Sequence, residues 1–370
     1  MRAHFPVVDL FAGPGGLGEG FASYAAGRSR VGFSVPLSIE KDATAHQTLL
    51  LRKFFRSFDE PTDDYFSYEA GHLSLQELFS RHPLNYEIAR QQAWCAELGK
   101  TQQSVVTRRI AQTLNGATAW ALIGGPPCQA YSIVGRSRMQ SRSNPDFETD
   151  HRHFLYREYL QIVARHHPPV FLMENVKGLL SATHGGENIF DRILLDLHEP
   201  ARAVKMRAQG VLRYRLYPLG QRSQKVLNVS PHSIPDPAAF VVRAEDYGIP
   251  QARHRVFVLG IREDISVVPT ALDRCAPIAV SDVINDLPAV RSTLSRETDS
   301  PEAWRQAVAE IRQQKWFQSS NVPASRATAV EATSALRIMA KAKLDAGRAW
   351  QPRTSQPHQL SSWYTRNSRA

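Results

Sequence analysis

The chain has 370 residues, enough for a large buried core and for more than one domain. Its 45 Lys and Arg outnumber 35 Asp and Glu, and the resulting charge of +10 suits a polyanionic partner or simply a basic solvated surface. Cys95, Cys128 and Cys275 are too few and too scattered for a disulfide framework or a zinc cluster; no leader and no run of about 20 apolar residues stands out, so the chain reads as cytoplasmic, without metal or membrane anchor.

The first element is Val7-Val8-Asp9-Leu10-Phe11, an apolar, β-branched strand that enters Ala12-Gly13-Pro14-Gly15-Gly16 and then a helix over 18–26. Glycines let a ligand approach the backbone, and the helix start behind them offers free N–H groups. A second strand at 35–39 ends in Glu40, at roughly the ~20-residue distance where dinucleotide folds place a ribose-binding acid. Between 52 and 118 the spacing of Leu75, Leu78 and Phe79, then Ile110 and Leu114, predicts inserted helices. A third strand, 120–123, runs into Gly124-Gly125-Pro126-Pro127-Cys128-Gln129, and a fourth, 170–173, into Glu174-Asn175. An Arg- and Lys-rich stretch at 201–235 reads as a second insertion, before strands at 240–242 and 256–260. Alternating strands and helices predict an α/β fold: a doubly wound, mostly parallel sheet forming one domain over 1–288. Helices with basic faces are expected at 301–317 and 331–350, and 351–370 reads as a polar linker or disordered tail.

Three strand ends carry chemistry. The prolines and glycines before Cys128 would hold a thiol in a rigid turn, as a nucleophile or as a buried structural cysteine. Glu174 is placed for proton transfer, or else caps a following helix together with Asn175. Arg253 and Arg255 share one face of an extended segment, either converging on a site or solvated at an edge.

Four blocks in this order, Asp9-Leu10-Phe11-Ala12-Gly13-Pro14-Gly15-Gly16, Gly125-Pro126-Pro127-Cys128-Gln129 with Ser132, Glu174-Asn175-Val176 and Gln251-Ala252-Arg253-His254-Arg255, resemble the DNA (cytosine-5)-methyltransferases. The resemblance implies a Rossmann-like methyltransferase fold, S-adenosyl-L-methionine as cofactor and double-stranded DNA as substrate, with the target cytosine flipped out of the stack. It makes Cys128 the nucleophile at carbon 6, Glu174 the acid near N3, and Arg253 and Arg255 their supporting cations. It assigns Phe11, Gly13, Gly15, Gly16, Glu40, Pro126 and Leu155 to the cofactor. Lys41 departs from the pattern, standing where a large apolar side chain usually covers the adenine. The residue for the adenine amino group has no counterpart in the motifs. Ser281 to Pro288 resembles the lead into a target-recognition region, taken to begin within 289–370, but the family's two late motifs do not follow. The chain is therefore expected to be a fragment, a subunit completed by a second polypeptide that carries them, or an unusual member of the family. A tRNA cytosine-5 methyltransferase and a non-catalytic DNA-binding subunit are the alternatives, although the chain lacks the Cys-Phe-Thr signature of the former.

Overall fold

The computed structural model describes residues 3–24, 31–59, 62–127, 151–184, 187–206, 212–220, 236–270, 272–285, 287, 290–315, 331 and 334. In chain order these form β1 (Ala3–Leu10), α1 (Gly16–Ser23), β2 (Val31–Glu40), α2 (Ala43–Arg56), α3 (Asp63–Glu69), α4 (Leu75–Arg81), α5 (Pro83–Gln92), β3 (Ala93–Cys95), α6 (Gln103–Leu114) and β4 (Ala121–Gly124). Further on are α7 (His151–His166), β5 (Val170–Val176), the short pair β6 (Thr183–His184) and β7 (Glu187–Asn188), α8 (Ile189–His198) and α9 (Pro200–Ala203). Then come β8 (Tyr214–Pro218), β9 (Val241–Arg243), β10 (His254–Arg262), α10 (Ser281–Ile284) and α11 (Pro301–Ala309). The described residues fall into two compact units, one within Met1–Pro61 and Phe79–Val280, the other of Thr62–Leu78 with the described residues from Ser281 to Ser334.

The first unit is built on a sheet of order β3-β2-β1-β4-β5-β10-β8, with β9 also paired to β10. Strands β3, β2, β1, β4 and β5 are parallel, and β10 is antiparallel to β5, β8 and β9. This is the expected doubly wound, mostly parallel sheet. The chain winds outward from β1 to β3, then returns to β4 on the other side of β1, which leaves a switch point between the ends of β1 and β4.

Alternate residues of the strands feed two faces. Val8, Leu10, Leu37, Leu122 and Phe171 point to the larger core, beneath Ile110 of α6, Tyr159 of α7 and Phe190 of α8. Val7, Val35, Ala121 and Ile123 point the other way, beneath Leu17 and Phe21 of α1. Helix α8 shows why the sequence folds so: Phe190, Ile193, Leu194 and Leu197 are one buried stripe, and the Asn188 side chain caps its start by accepting from the Phe190 and Asp191 N–H groups.

Two sheet strands lie inside the stretches read as insertions: β3 within 52–118 and β8 within 201–235. The expected helix at 301–317 is shorter, ending at Ala309 and followed by a 3-10 turn over Glu310–Gln313. The second expected helix, apart from Glu331 and Ser334, and the tail lie outside the described residues.

Gly260 faces Phe171 across β5 and β10, and a Cβ there would sit 2.2 Å from the Phe171 ring. That ring also packs on Tyr159 and Tyr214 and has nowhere to move. Gly260→Ala should therefore cost about 1–3 kcal/mol by overpacking, read from chemical denaturation. An unchanged midpoint would contradict this packing.

Candidate active site

Beyond Leu10 the backbone turns at Phe11, whose φ of 55° is left-handed and rare for an aromatic residue. Ala12 N donates to Ile39 O (3.0 Å) and Gly15 N to Ala12 O (2.9 Å), so the turn is tied to the end of β2 and to itself. Gly15, at φ 89°, could not carry a side chain without strain, and a Cβ would meet Leu49 at 2.8 Å. At Gly13 and Gly16, by contrast, a Cβ would meet none of the described residues within 4 Å, so the turn is open to them on that side. Glu40 closes β2 beside it. Its Oε2 accepts from Gly13 N (2.7 Å), and its Oε1 from Lys41 N (2.9 Å) and Asp42 N (2.7 Å). A carboxylate offers about four acceptor positions, so one further donor can still be taken.

Strand β3 brings Cys95 opposite Glu40, and Ala96 N donates to Glu40 O (3.0 Å). Lys41 reaches across to Glu97, with Nζ 3.4 Å from Oε1. The Lys100 ammonium, helped by Lys41, holds the Glu97 carboxyl below its ordinary value. Residues 95–97 thus stand next to Glu40, a position that no motif in the sequence marks.

On the other side of the switch point, Leu10 pairs with Gly124, and Gly124 with Met173. A Cβ on Gly124 would lie 2.7 Å from Leu10 O and 3.2 Å from Tyr159 of α7, so the strand ends approach closely only because the residue is glycine. Leu155 is half-buried earlier on that helix. The Pro126 carbonyl accepts from Asn175 Nδ2 (3.1 Å) in a buried bond that fastens the turn after β4 to the end of β5. Cys128 lies outside the described residues, as does Ser132; the turn is described through Pro127.

Glu174 precedes Asn175 and faces the Arg pair. Its Oε1 is 2.9 Å from Arg255 Nε and 3.9 Å from Arg253 Nη2. The Gly125 backbone is so close that a Cβ on it would be 3.0 Å from Oε2. Burial raises the Glu174 carboxyl above its ordinary value, and Arg255 and then Arg253 oppose the rise without cancelling it. The two clusters contain nine of the expected site residues: Phe11, Gly13, Gly15, Gly16 and Glu40 at one turn, and Pro126, Glu174, Arg253 and Arg255 at the other; Leu155 stands on the helix whose Tyr159 packs against Gly124. 

Sequence reasoning missed Asn175 as the tie to Pro126, having weighed it only as a helix cap. It also missed His254, whose Nε2 is 2.6 Å from Glu245 Oε1. The Glu245 backbone N–H, His254 and Arg243 hold that carboxyl down at about 2. With Ala244 N donating to Arg253 O (2.9 Å), this contact secures the start of β10.

The sequence matches the family model of C-5 cytosine-specific DNA methylases over residues 70–207 and 237–362, more than half of the chain. It is similar to a type II methyltransferase of Bacillus paralicheniformis, 26% identical over 309 residues that cover 77% of this chain and 61% of the relative. A type II methyltransferase of Methanothermobacter thermautotrophicus is 31% identical over 183 residues, covering 49% of this chain and 42% of the relative. Among solved structures, a prophage-encoded chain from E. coli, described provisionally as a DNA modification methyltransferase, superposes with a TM-score of 0.42 at 20% identity, over 80% of this chain and 59% of that one. The matched segment thus spans less than two thirds of these relatives. The expected second polypeptide finds no support in them, and the family match runs on to residue 362, through the segment read as basic helices and tail. No described helix is long and apolar enough to cross a membrane.

Arg255→Met removes the strongest influence holding the Glu174 carboxyl down, so its pKa should climb further, as read by NMR titration of carboxyl-labelled Glu. A carboxyl whose folded pKa is raised contributes most at low pH and loses that contribution as pH rises through the folded value. The variant should therefore fold nearly as well as the parent in acid and fall behind it as pH rises. A penalty independent of pH would mean that Arg255 acts by packing alone.

Proposed function

Because the chain belongs to the C-5 cytosine-specific DNA methylases, we propose that it transfers a methyl group from S-adenosyl-L-methionine to carbon 5 of cytosine in double-stranded DNA. The observation that carries this reading is the close approach of the two turns: Leu10 and Gly124 pair at the switch point, and Glu174 follows one strand over. A donor-binding turn and an acid–cation cluster side by side suit group transfer between two ligands.

The first turn fits a nucleoside-type cofactor. Its backbone is open at Gly13 and Gly16, and Glu40 is oriented by three N–H donors with acceptor capacity to spare. Phe11, Gly13, Gly15, Gly16 and Glu40 would hold the methionine and ribose parts, with Pro126 and Leu155 bordering them. Bound there, S-adenosyl-L-methionine supplies an electrophilic methyl group.

Carbon 5 of cytosine is too weak a nucleophile unaided. The Cys128 thiolate adds to carbon 6 of the flipped base, forming an S–C bond and pushing an electron pair toward carbon 5 and N3. Glu174 lends a proton at N3; burial, which keeps that proton on the carboxyl to higher pH than in water, favours this role. Arg255 orients the carboxyl, and the more exposed Arg253 is available to the base or to a phosphate. Once carbon 5 carries its methyl group, loss of the carbon 5 proton and expulsion of the thiolate restore the ring.

Cys128→Ser should abolish transfer of radiolabelled methyl to DNA with the fold retained, since a serine hydroxyl is scarcely ionised at neutral pH. Wild-type protein should become covalently trapped on DNA containing 5-fluorocytosine. Turnover by the serine variant at the parental rate would end this mechanism.

Glu174→Gln should lower kcat about 10²–10⁴-fold and leave cofactor affinity intact. Gly13→Val should do the reverse, placing a branched side chain at φ 56° in the open side of the turn. Calorimetric titration with S-adenosyl-L-methionine distinguishes them, and swapped effects would mean that the two turns are misassigned.

A further inference from the structure

A cavity of about 300 Å³ lies against β2 between α1 and α2, and the chemistry above does not use it. Its wall is rich in donors. Ser38 of β2 is wholly buried there, and among the described residues its hydroxyl has no hydrogen-bond partner. Lys53 of α2 is 9% exposed; its ammonium carries three N–H donors and, among the described residues, gives one of them, to Val35 O (2.7 Å). Arg52, one residue earlier, is an exposed part of the lining and bonds no described residue. Buried donors left over in this way call for an occupant. A water takes roughly 30 Å³ of liquid volume, so the space exceeds one or two waters. The charges choose what fills it: Arg52, Lys53 and Arg56 line the cavity against one acid, Glu19 of α1, which Arg56 Nε already binds (3.1 Å).

We propose that this cavity is a second ligand site, for a small oxyanion of the sulfate or phosphate class: the Lys53 ammonium and the Ser38 hydroxyl donate to its inner oxygens, and the Arg52 guanidinium closes over the outer ones. Arg52 also touches the glycine turn, because a Cβ on Gly15 would lie 3.6 Å from its Cδ, and Gly15 itself lines the cavity. Helix α1 starts directly after that turn, and α2 starts at Ala43, just past Glu40. An oxyanion that bridges the two helices therefore braces both parts of the turn and raises cofactor affinity, a consequence that rests on the reading of the turn as the cofactor seat.

One charge opposes an anion here. Asp9 stands opposite Ser38 across β1 and β2 and is buried, without lining the cavity. Burial pushes its carboxyl well above the ordinary value, with Lys53 acting against the rise and Glu40 with it, so the group sheds its charge as the solution turns acid. Burial also lowers the Lys53 ammonium, with Asp9 and Glu19 acting against the fall and Arg56 with it, so the lysine gains charge in the same direction. His4 of β1 completes the titratable groups of the wall. Both changes favour an anion, and affinity should rise as pH falls from about 9 to about 6.

The test titrates the full chain with sodium sulfate, whose charge is constant over this pH range, against sodium chloride at equal ionic strength. Calorimetry should find one saturable sulfate site in the wild type, with NMR shifts at the Gly15, Gly18 and Ser38 amides. Lys53→Met should weaken it at least about tenfold and Ser38→Ala and Arg52→Gln severalfold each, as for hydrogen bonds to a charged group. The last two variants keep the test decisive even if Lys53→Met folds poorly. No saturable binding, or an affinity indifferent to all three changes, would overturn the site. A free oxyanion and a DNA phosphate share this chemistry: duplex DNA that leaves sulfate in place assigns the site to a free oxyanion, and duplex DNA that displaces it assigns the site to the DNA backbone. Saturating sulfate should tighten S-adenosyl-L-methionine binding at least about fivefold in the wild type and not in Lys53→Met, the low end of ordinary coupling between sites. Equal cofactor affinity with and without sulfate would overturn the coupling. If sulfate binds through Lys53 but the cofactor does not bind at all, the oxyanion site stands and the cofactor reading falls.

Discussion

The hydrogen bond from Asn175 Nδ2 to Pro126 O is buried, and it joins two strand ends that the sheet itself leaves free to diverge. Register holds β4 and β5 together only as far as Gly124 and Met173. Past that point β4 ends while β5 runs on to Val176 beside β10, so Glu174 and the Pro-Pro turn have no ladder in common. The Asn175 amide replaces it, and its own Oδ1 is taken up by Val176 N (2.8 Å), so the side chain cannot rotate away without leaving buried polar groups unsatisfied. Such a loss costs about 1–3 kcal/mol, more than the amide would gain from any alternative contact at the surface. The position of Glu174 relative to the turn that leads to Cys128 is thereby set by a neighbour in the sequence, not by either residue itself.

The two carboxylates at strand ends show how environment divides roles between chemically equal groups. Glu40 meets three backbone N–H groups and, among the described residues, no cation bonds it, an arrangement that orients an acceptor. Glu174 meets guanidinium groups and burial together, with burial the larger influence, an arrangement that holds a proton within reach of neutral chemistry while keeping the carboxyl aimed. Exchanging their surroundings would exchange their uses.

Much of this was legible in the sequence because the chemistry sits where apolar β-branched runs stop. Val7 to Leu10, Ala121 to Ile123 and Val170 to Met173 announce buried parallel strands, and the residues after each carry the polar or glycine signal. The legible part ends where the signal is short or distant. Ala93-Trp94-Cys95 is three residues long and follows directly on a helix, so no periodicity marks it as the edge of the sheet. Tyr214 to Pro218 sits in an Arg-rich neighbourhood, and Arg215 hides its alternation of buried Tyr214 and Leu216. Lys53 reads as one more basic position on the amphipathic helix α2, because its buried ammonium is held by Val35 O, 18 positions earlier on β2. Pairings of that kind come from packing and leave no pattern along the chain.

The antiparallel strand β10 is the last piece the site requires. Parallel strands β1, β4 and β5 end at one edge of the sheet, and any further parallel strand would begin at the opposite edge, a full strand length from Glu174. Reversing the strand brings its first residues to the edge where the others finish. Arg255 then stands opposite Val176 and Phe257 opposite Glu174, and the period of two along the strand turns Arg253 and Arg255 to the carboxyl's face. Val256 and Val258, on the alternate face, bury into the larger core and anchor the strand there. One short segment thus meets two demands at once: its even positions supply apolar contacts that fix its height in the sheet, and its odd positions supply cations whose reach depends on that height. A one-residue slip of β10 would exchange the two sets, turning the valines away from the core and the arginines into it. Gly260 guards against that slip, because only at its present register does the Phe171 ring find a residue without a side chain across from it.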